Sequence, residues 1–261
     1  MSFGLLVIGD EILSGRRQDK HLPRLIELLA ARGHALGWAQ FIGDDRPRII
    51  AALKEARESG DIVFSCGGIG ATPDDHTRQC AALAAGLPLA LHPGAKALIE
   101  ERMREVAAEQ GVAWEPERPD NVHRLNMGVF PAGATLIPNP YNKIPGFSLG
   151  RLHFLPGFPV MAHPMIEWVL DTCYADLRPQ PHAEHALYVY NGLEATLTPL
   201  MESIEARFAG VRVFSLPSVD HPQRGRHIEL GVKGEPVLAA QAFEALKGGL
   251  AAFPELRVST E

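Results

Sequence analysis

The chain has 261 residues, 46% of them hydrophobic and 21% charged, which is enough to bury one large core or two modest ones. Its formal net charge of −6 gives nucleic acid no global electrostatic attraction, so nucleic acid is not an expected partner. No apolar run approaches the roughly 20 residues of a membrane span.

Residues 3–9 read as a first strand. They lack the basic n-region of a leader and turn acidic at once. Lys20–Arg32 carries Leu22, Leu25, Ile26, Leu28 and Leu29 on a helical face and stops at Gly33. Ala35–Ile42 is a second strand, and Asp45 to Ser59 a helix with Ile49, Ile50 and Leu53 inward. Asp61–Cys66 is a buried parallel strand, followed by a helix over Arg78–Gly86 and a longer one over Pro93–Gln110. This alternation predicts a three-layer α/β/α, doubly wound, mostly parallel sheet. Residues 112–150 read as irregular, and a long irregular segment in a compact domain is usually functional. Leu152–Pro159 is a last strand and turn, and Met161–Tyr174 a helix despite Pro164. Asp176 to Pro181 reads as a linker, giving domains at 1–177 and 182–261. The second domain has strands at Ala186–Tyr190, Val211–Leu216 and Arg226–Val232, with helices at Ala195–Phe208 and Pro236–Ala252. That pattern is a small ferredoxin-like or KH-like α+β domain. Its Gly231-Val232-Lys233-Gly234 follows a strand, unlike the helix-joining loop of RNA-binding KH domains.

Chemistry concentrates where strand 61–66 empties into Gly67-Gly68-Ile69-Gly70-Ala71-Thr72-Pro73-Asp74-Asp75-His76-Thr77. Glycines admit close backbone approach, and a helix N-terminus favours an anion such as phosphate. Asp74 and Asp75 sit at that same place, and a Mg²⁺-type ion shared with phosphate resolves the conflict. Thr72 as N-cap, Pro73 at N1 and Asp75 at N3 also make a capping box, and the two readings can coexist. Gly9-Asp10-Glu11-Ile12-Leu13-Ser14-Gly15 and Gly43-Asp44-Asp45 follow the first two strands. Their carboxylates therefore meet at the sheet edge where ligands of doubly wound folds bind. Ser14 is a candidate anion ligand and Lys143 a candidate phosphate partner. Cys66, Cys80 and Cys173 form no C-x-x-C and suit a reducing cytoplasm. Cys66, at a buried strand end, reads as packing, and His76 as a bystander.

In that order, these motifs together with Ile144-Pro145-Gly146-Phe147 and Leu155-Pro156-Gly157-Phe158-Pro159 resemble the molybdopterin-binding domain of CinA-like proteins. They are similar more distantly to MogA and MoaB. The resemblance covers roughly residues 3–175. The small domain also looks like the one that follows in CinA proteins, while their C-terminal deamidase activity is not carried over. The resemblance implies molybdopterin or a nucleotide phosphate held over the glycine loop by Gly9, Asp10, Glu11, Ser14, Gly67, Gly68, Gly70, Thr72, Asp74, Lys143, Pro145 and Gly146. It implies Asp45 and Asp75 as catalytic and metal-holding residues, Mg²⁺-dependent cleavage of a phosphoanhydride such as ADP-ribose, and a homo-oligomer. The alternatives are non-catalytic binding of molybdopterin or a nucleotide, and nucleotidyl transfer in molybdenum cofactor synthesis. Met161 stands where the family usually has a glutamate, and Ala71 where it usually has proline.

Overall fold

A strand that is apolar on both faces must lie inside a covered sheet. Strand β1 (Phe3–Ile8) is buried along its whole length in the computed structural model, which describes residues 1–179 and 182–260. Leu5 and Val7 enter one apolar cluster and Leu6 and Ile8 another, so β1 separates two cores. The chain divides into two compact units, Met1–Leu177 and Arg178–Glu261. Of the linker expected over Asp176 to Pro181, Gln180 and Pro181 lie outside the described residues.

The first unit continues through α1 (Asp10–Leu13), α2 (His21–Ala30), β2 (Leu36–Ile42), α3 (Arg46–Ser59), β3 (Ile62–Cys66), α4 (Thr77–Ala85), β4 (Leu89–Leu91) and α5 (Pro93–Glu109). It then runs through α6 (Pro119–Arg124), β5 (Val129–Pro131), β6 (Thr135–Ile137), β7 (Gly146–Leu149), β8 (Leu152–Leu155) and α7 (Pro159–Cys173). The main sheet has the order β2-β1-β3-β8-β7-β6, with the first four strands parallel and β7 and β6 antiparallel at one edge. Leu25 and Leu28 of α2 join Met165 and Ile166 of α7 on one face, while Ile49, Cys80 and Ala95 of α3, α4 and α5 cover the other. The fold is a three-layer α/β/α sandwich with a mixed sheet.

Three expectations change. Residues 112–150 are not irregular throughout, because they hold α6, β5, β6 and β7, each too short to show a period and flanked by Pro or Gly. Helix α7 starts at Pro159, which sits at its first position, ahead of Met161. The motif helix α4 starts at Thr77, so Thr72, Pro73 and Asp75 form a turn before it and not its capping box. Thr77 is held at that start by its own backbone N–H donating to Gly68 O at 2.9 Å.

The second unit runs β9 (Ala183–Tyr190), α8 (Glu194–Arg207), β10 (Arg212–His221), β11 (Gly225–Gly234), α9 (Pro236–Leu250) and β12 (Arg257–Ser259). Its sheet is antiparallel with the order β10-β11-β9-β12, the ferredoxin-like arrangement. Gly231–Gly234 lies within β11 itself. Among the described residues no helix is long and apolar enough to cross a membrane.

Candidate functional site

The polypeptide turns sharply after β3. Gly67 and Gly68 take φ of +109° and +67°, which L side chains rarely adopt. A Cβ on Gly67 would strike Ile8 O, and one on Gly68 would strike the Thr77 hydroxyl. Buried Thr77 staples this turn, because its Oγ1 donates to Gly67 O at 3.0 Å. Beyond it, Asp75 folds back and its Oδ2 accepts from Thr72 N at 2.8 Å and from Thr72 Oγ1. A Cβ on Gly70 would meet that carboxylate. Arg78, 3% exposed, reaches back along α4 and donates to Gly70 O and Asn126 O. Burial pulls its guanidinium below its ordinary value, and Asp75 opposes that pull.

The two ends of segment 66–72 each line a cavity. The first, of about 420 Å³, is lined by Cys66 and Gly157 together with Glu11, Arg17, Lys20 and His21. The His21 ring is 4% exposed, and its Nε2 lies 3.1 Å from Gly157 O. Nε2 therefore carries the proton, and Nδ1 is a buried acceptor with no donor among the described residues. Burial lowers the His21 pKa, which keeps that ring neutral. Burial likewise pushes the Cys66 thiol far up and makes it inert. The second cavity, of about 310 Å³, is lined by Ala71, Thr72, Asp75, His76, Arg78 and His123.

The loops after β1 and β2 clamp one another. Asp10 N donates to Asp44 Oδ2 at 2.9 Å, and Asp44 N donates to Asp10 Oδ1 at 3.1 Å. A Cβ on Gly43 would enter the Asp10 carboxylate, and one on Gly9 the Glu11 carboxylate. Burial, and then the like charges of Asp10, Glu11 and Asp74, raise the Asp44 carboxyl above its ordinary value. Three strand ends thus bring their acids into one field.

Residues 4–175 match the family described as "Probable molybdopterin binding domain". The chain belongs to this family. A CinA-like protein of Anaeromyxobacter dehalogenans is 31% identical over 270 residues, covering 91% of this chain and 61% of that protein. One from Geobacter sulfurreducens is 30% identical over 256 residues, covering 96% of this chain and 58% of that one. The chain therefore spans about three-fifths of the length of these curated relatives. Among solved structures, CinA of unknown function from Thermoplasma acidophilum is 26% identical with a TM-score of 0.55, covering 65% of this chain and 96% of that one.

Within this molybdopterin-binding fold, several expected site residues are held elsewhere. Asp45 caps α3, where its Oδ1 accepts from Arg48 N at 2.9 Å, and it lines a separate cavity with Phe41 and Glu55. The structure does not bring Asp45 and Asp75 into one cavity. No group of three or more His, Cys, Asp or Glu among the described residues is arranged to hold a metal ion. Lys143, a candidate phosphate partner, instead pairs its Nζ with Glu101 at 2.6 Å and with Glu105, both on α5. Pro145 and Gly146 are buried, and a Cβ on Gly146 would meet Phe154 O and Met165, so they serve packing. Ser14 is exposed at the end of α1, with its N–H on Asp10 O at 2.8 Å. Met161 packs on the core beside Asn142, whose Nδ2 is 3.7 Å from its sulfur. Sequence reasoning missed Arg17, Lys20, His21, Arg78 and His123, and quoted Thr77 in the motif without a role. The only signal for the first three was the polar run after Gly15.

Proposed function

We propose that the first unit binds a phosphate-bearing heterocycle of molybdopterin or nucleotide type along segment 66–72, in a reducing cytoplasm. We further propose that its chemistry is cleavage of a nucleotide phosphoanhydride with a divalent ion such as Mg²⁺. The observation that carries the reading is the pair of unlike cavities joined by the glycine turn. In the first, the orphaned His21 Nδ1 suits a ring N–H or amino donor, and Arg17 and Lys20 suit an anion. In the second, Asp75 offers a carboxylate to share a metal, beside the buried positive charge of Arg78. An all-protein metal cage does not fit these residues, but Mg²⁺ commonly takes one or two carboxylates and completes its shell with phosphate oxygens and water. The carboxylate offered to it in this cavity is Asp75, with Asp44 in the same acidic field through Asp74. When bound, the ion offsets charge on the phosphoanhydride. The chain itself orients the ligand through the rigid Gly67–Gly68 turn, and the Arg78 guanidinium braces the carbonyl of Gly70 just beyond it.

The test is AMP release from ADP-ribose and from FAD with Mg²⁺, Mn²⁺ or Co²⁺, by wild type and by Asp75→Asn. Metal-dependent AMP from wild type alone supports the hydrolase. No AMP from either folded protein removes it for these substrates. The second reading, binding without catalysis, is favoured by Met161, a thioether packed on the core where the family usually has a carboxylate.

A further inference from the structure

The four-stranded sheet of the second unit has one face covered and one open. Leu187 and Val189 of β9 and Ile228, Leu230 and Val232 of β11 pack with Leu197, Ile204, Ala242 and Leu246 of α8 and α9. Strand side chains alternate, so the residues between them point the other way. These are Tyr188 and Tyr190 on β9 and His227 and Glu229 on β11. In register beside them stand Phe214 and Leu216 on β10 and Arg257 on β12.

This open face carries flat rings and cations. The Arg224 guanidinium lies 4.2 Å over the Tyr188 ring, and that of Arg257 lies 4.0 Å over Tyr190. His227 meets both tyrosine rings, at 5.3 and 5.9 Å. Gly231 has no side chain to lift Phe214, whose ring lies directly on it. Arg212, Arg224, Lys233 and Arg257 make no ion pair among the described residues. Among the described residues, Glu184 and Glu229 oppose them on this face, and Asp220 lies near the end of β10. Four further acids lie on the helical side, Glu194, Glu202 and Glu205 on α8 and Glu244 on α9. A net charge taken over the whole chain hides this separation.

We propose that the open face of the β10-β11-β9-β12 sheet binds single-stranded nucleic acid, stacking bases on its tyrosine and guanidinium planes, which the buried His227 ring supports from below, and pairing phosphates with its unneutralised cations. A single strand offers both flat base faces and a run of phosphates. A duplex hides its base faces in its own stack, so it matches only the charge. An acidic peptide would satisfy the cations and leave the rings without a partner.

The experiment is fluorescence anisotropy of the whole chain with labelled twelve-nucleotide oligo-uridylate and oligo-thymidylate, with a duplex of equal length for comparison. Stacking is worth about 1–3 kcal/mol per base by alanine substitution, or about 5- to 150-fold. Tyr188→Ala with Tyr190→Ala should weaken single-strand binding by at least fivefold, while the two phenylalanine substitutions should retain it. If all four cations engage, the salt slope for single strands implies roughly 50-fold weaker binding from 50 to 200 mM salt. The duplex should bind more weakly than either single strand. Should the alanine pair melt early, Arg224→Gln with Arg257→Gln gives the same test without removing the rings. Absence of wild-type binding up to roughly 100 μM, the weak end of non-specific affinity, overturns the proposal. So does equal binding by wild type and both sets of variants, or a duplex bound as tightly as the single strands. Self-association through this face without oligonucleotide binding, seen as a concentration-dependent mass that the same substitutions abolish, also overturns it.

Discussion

Thr77→Val removes one hydroxyl from the centre of the glycine turn and keeps the shape of the side chain. In the wild type, Oγ1 donates to Gly67 O at 3.0 Å, and Thr77 has no exposed surface. The valine leaves a buried carbonyl without its donor, a cost of about 1–3 kcal/mol. A methyl carbon also cannot sit as close to a carbonyl oxygen as that hydroxyl does, so strain adds to the loss. For a domain of this size each kcal/mol lowers Tm by about 2–4 °C, so a fall of roughly 2–12 °C is expected. Thr77→Ser keeps the hydrogen bond and loses one buried methyl, about 1 kcal/mol. The assay is thermal unfolding of the three proteins, together with binding of ADP-ribose or FAD to each. Valine should lose stability and affinity together, and serine should keep affinity. A valine variant as stable as wild type, or a serine variant worse than valine, would refute the hydroxyl staple.

Gly67→Ala should destabilise more than either, since φ is +109° and the new Cβ meets Ile8 O; soluble yield and Tm report it. Asp44→Asn should raise Tm at neutral pH, because like charges and burial disfavour the carboxylate. A raised folded-state pKa means that the wild type loses stability as pH climbs from the ordinary carboxyl range through that raised value. The asparagine variant should lack this loss, which pH-dependent melting checks. His153 lies between Ser148 Oγ and Tyr174 OH, both at 2.7 Å, and burial lowers its pKa to about 4. Unfolded histidine protonates near 6.5, so stability should fall as pH drops from about 6.5 to about 4, by at most about 3 kcal/mol. Urea unfolding of wild type against His153→Gln isolates that loss.

What could be read in the sequence depended on how local its cause was. Strands β1 and β3 are unbroken apolar runs buried on both faces, and they were legible as such. Strands β6 and β7 have three and four residues, below the length at which alternation shows, although they pair with each other and β7 pairs with the following β8. β12 was missed for the same reason. The start of α4 was misread because two threonines compete for it. Thr72 has the local capping pattern, but Thr77 wins by bonding to Gly67 ten residues back. The site cations were decided at longer range. Lys143 looked free in its loop until Glu101 and Glu105, one helical turn apart on α5, took its ammonium group. Arg78 looked like any polar residue of a first helical turn, yet its guanidinium spans Gly70 O and Asn126 O.

The acidic edge can be weighed against what hydrogen bonding alone requires. Asp10 and Asp44 clamp the first two loops by accepting from each other's N–H, and Asp45 and Asp75 each hold a turn. Asparagine or serine accepts such bonds without bringing charge. At Asp44 the charge has a visible cost, since burial, and after it the charges of Asp10, Glu11 and Asp74, push its carboxyl up. Capping therefore explains where these side chains point but not why they are acids. A divalent ion entering with a phosphate would turn that repulsion into affinity. It follows that Mg²⁺ with ADP-ribose should raise the Tm of the wild type more than that of Asp44→Asn. Equal shifts in the two proteins would leave the acids as caps and nothing more.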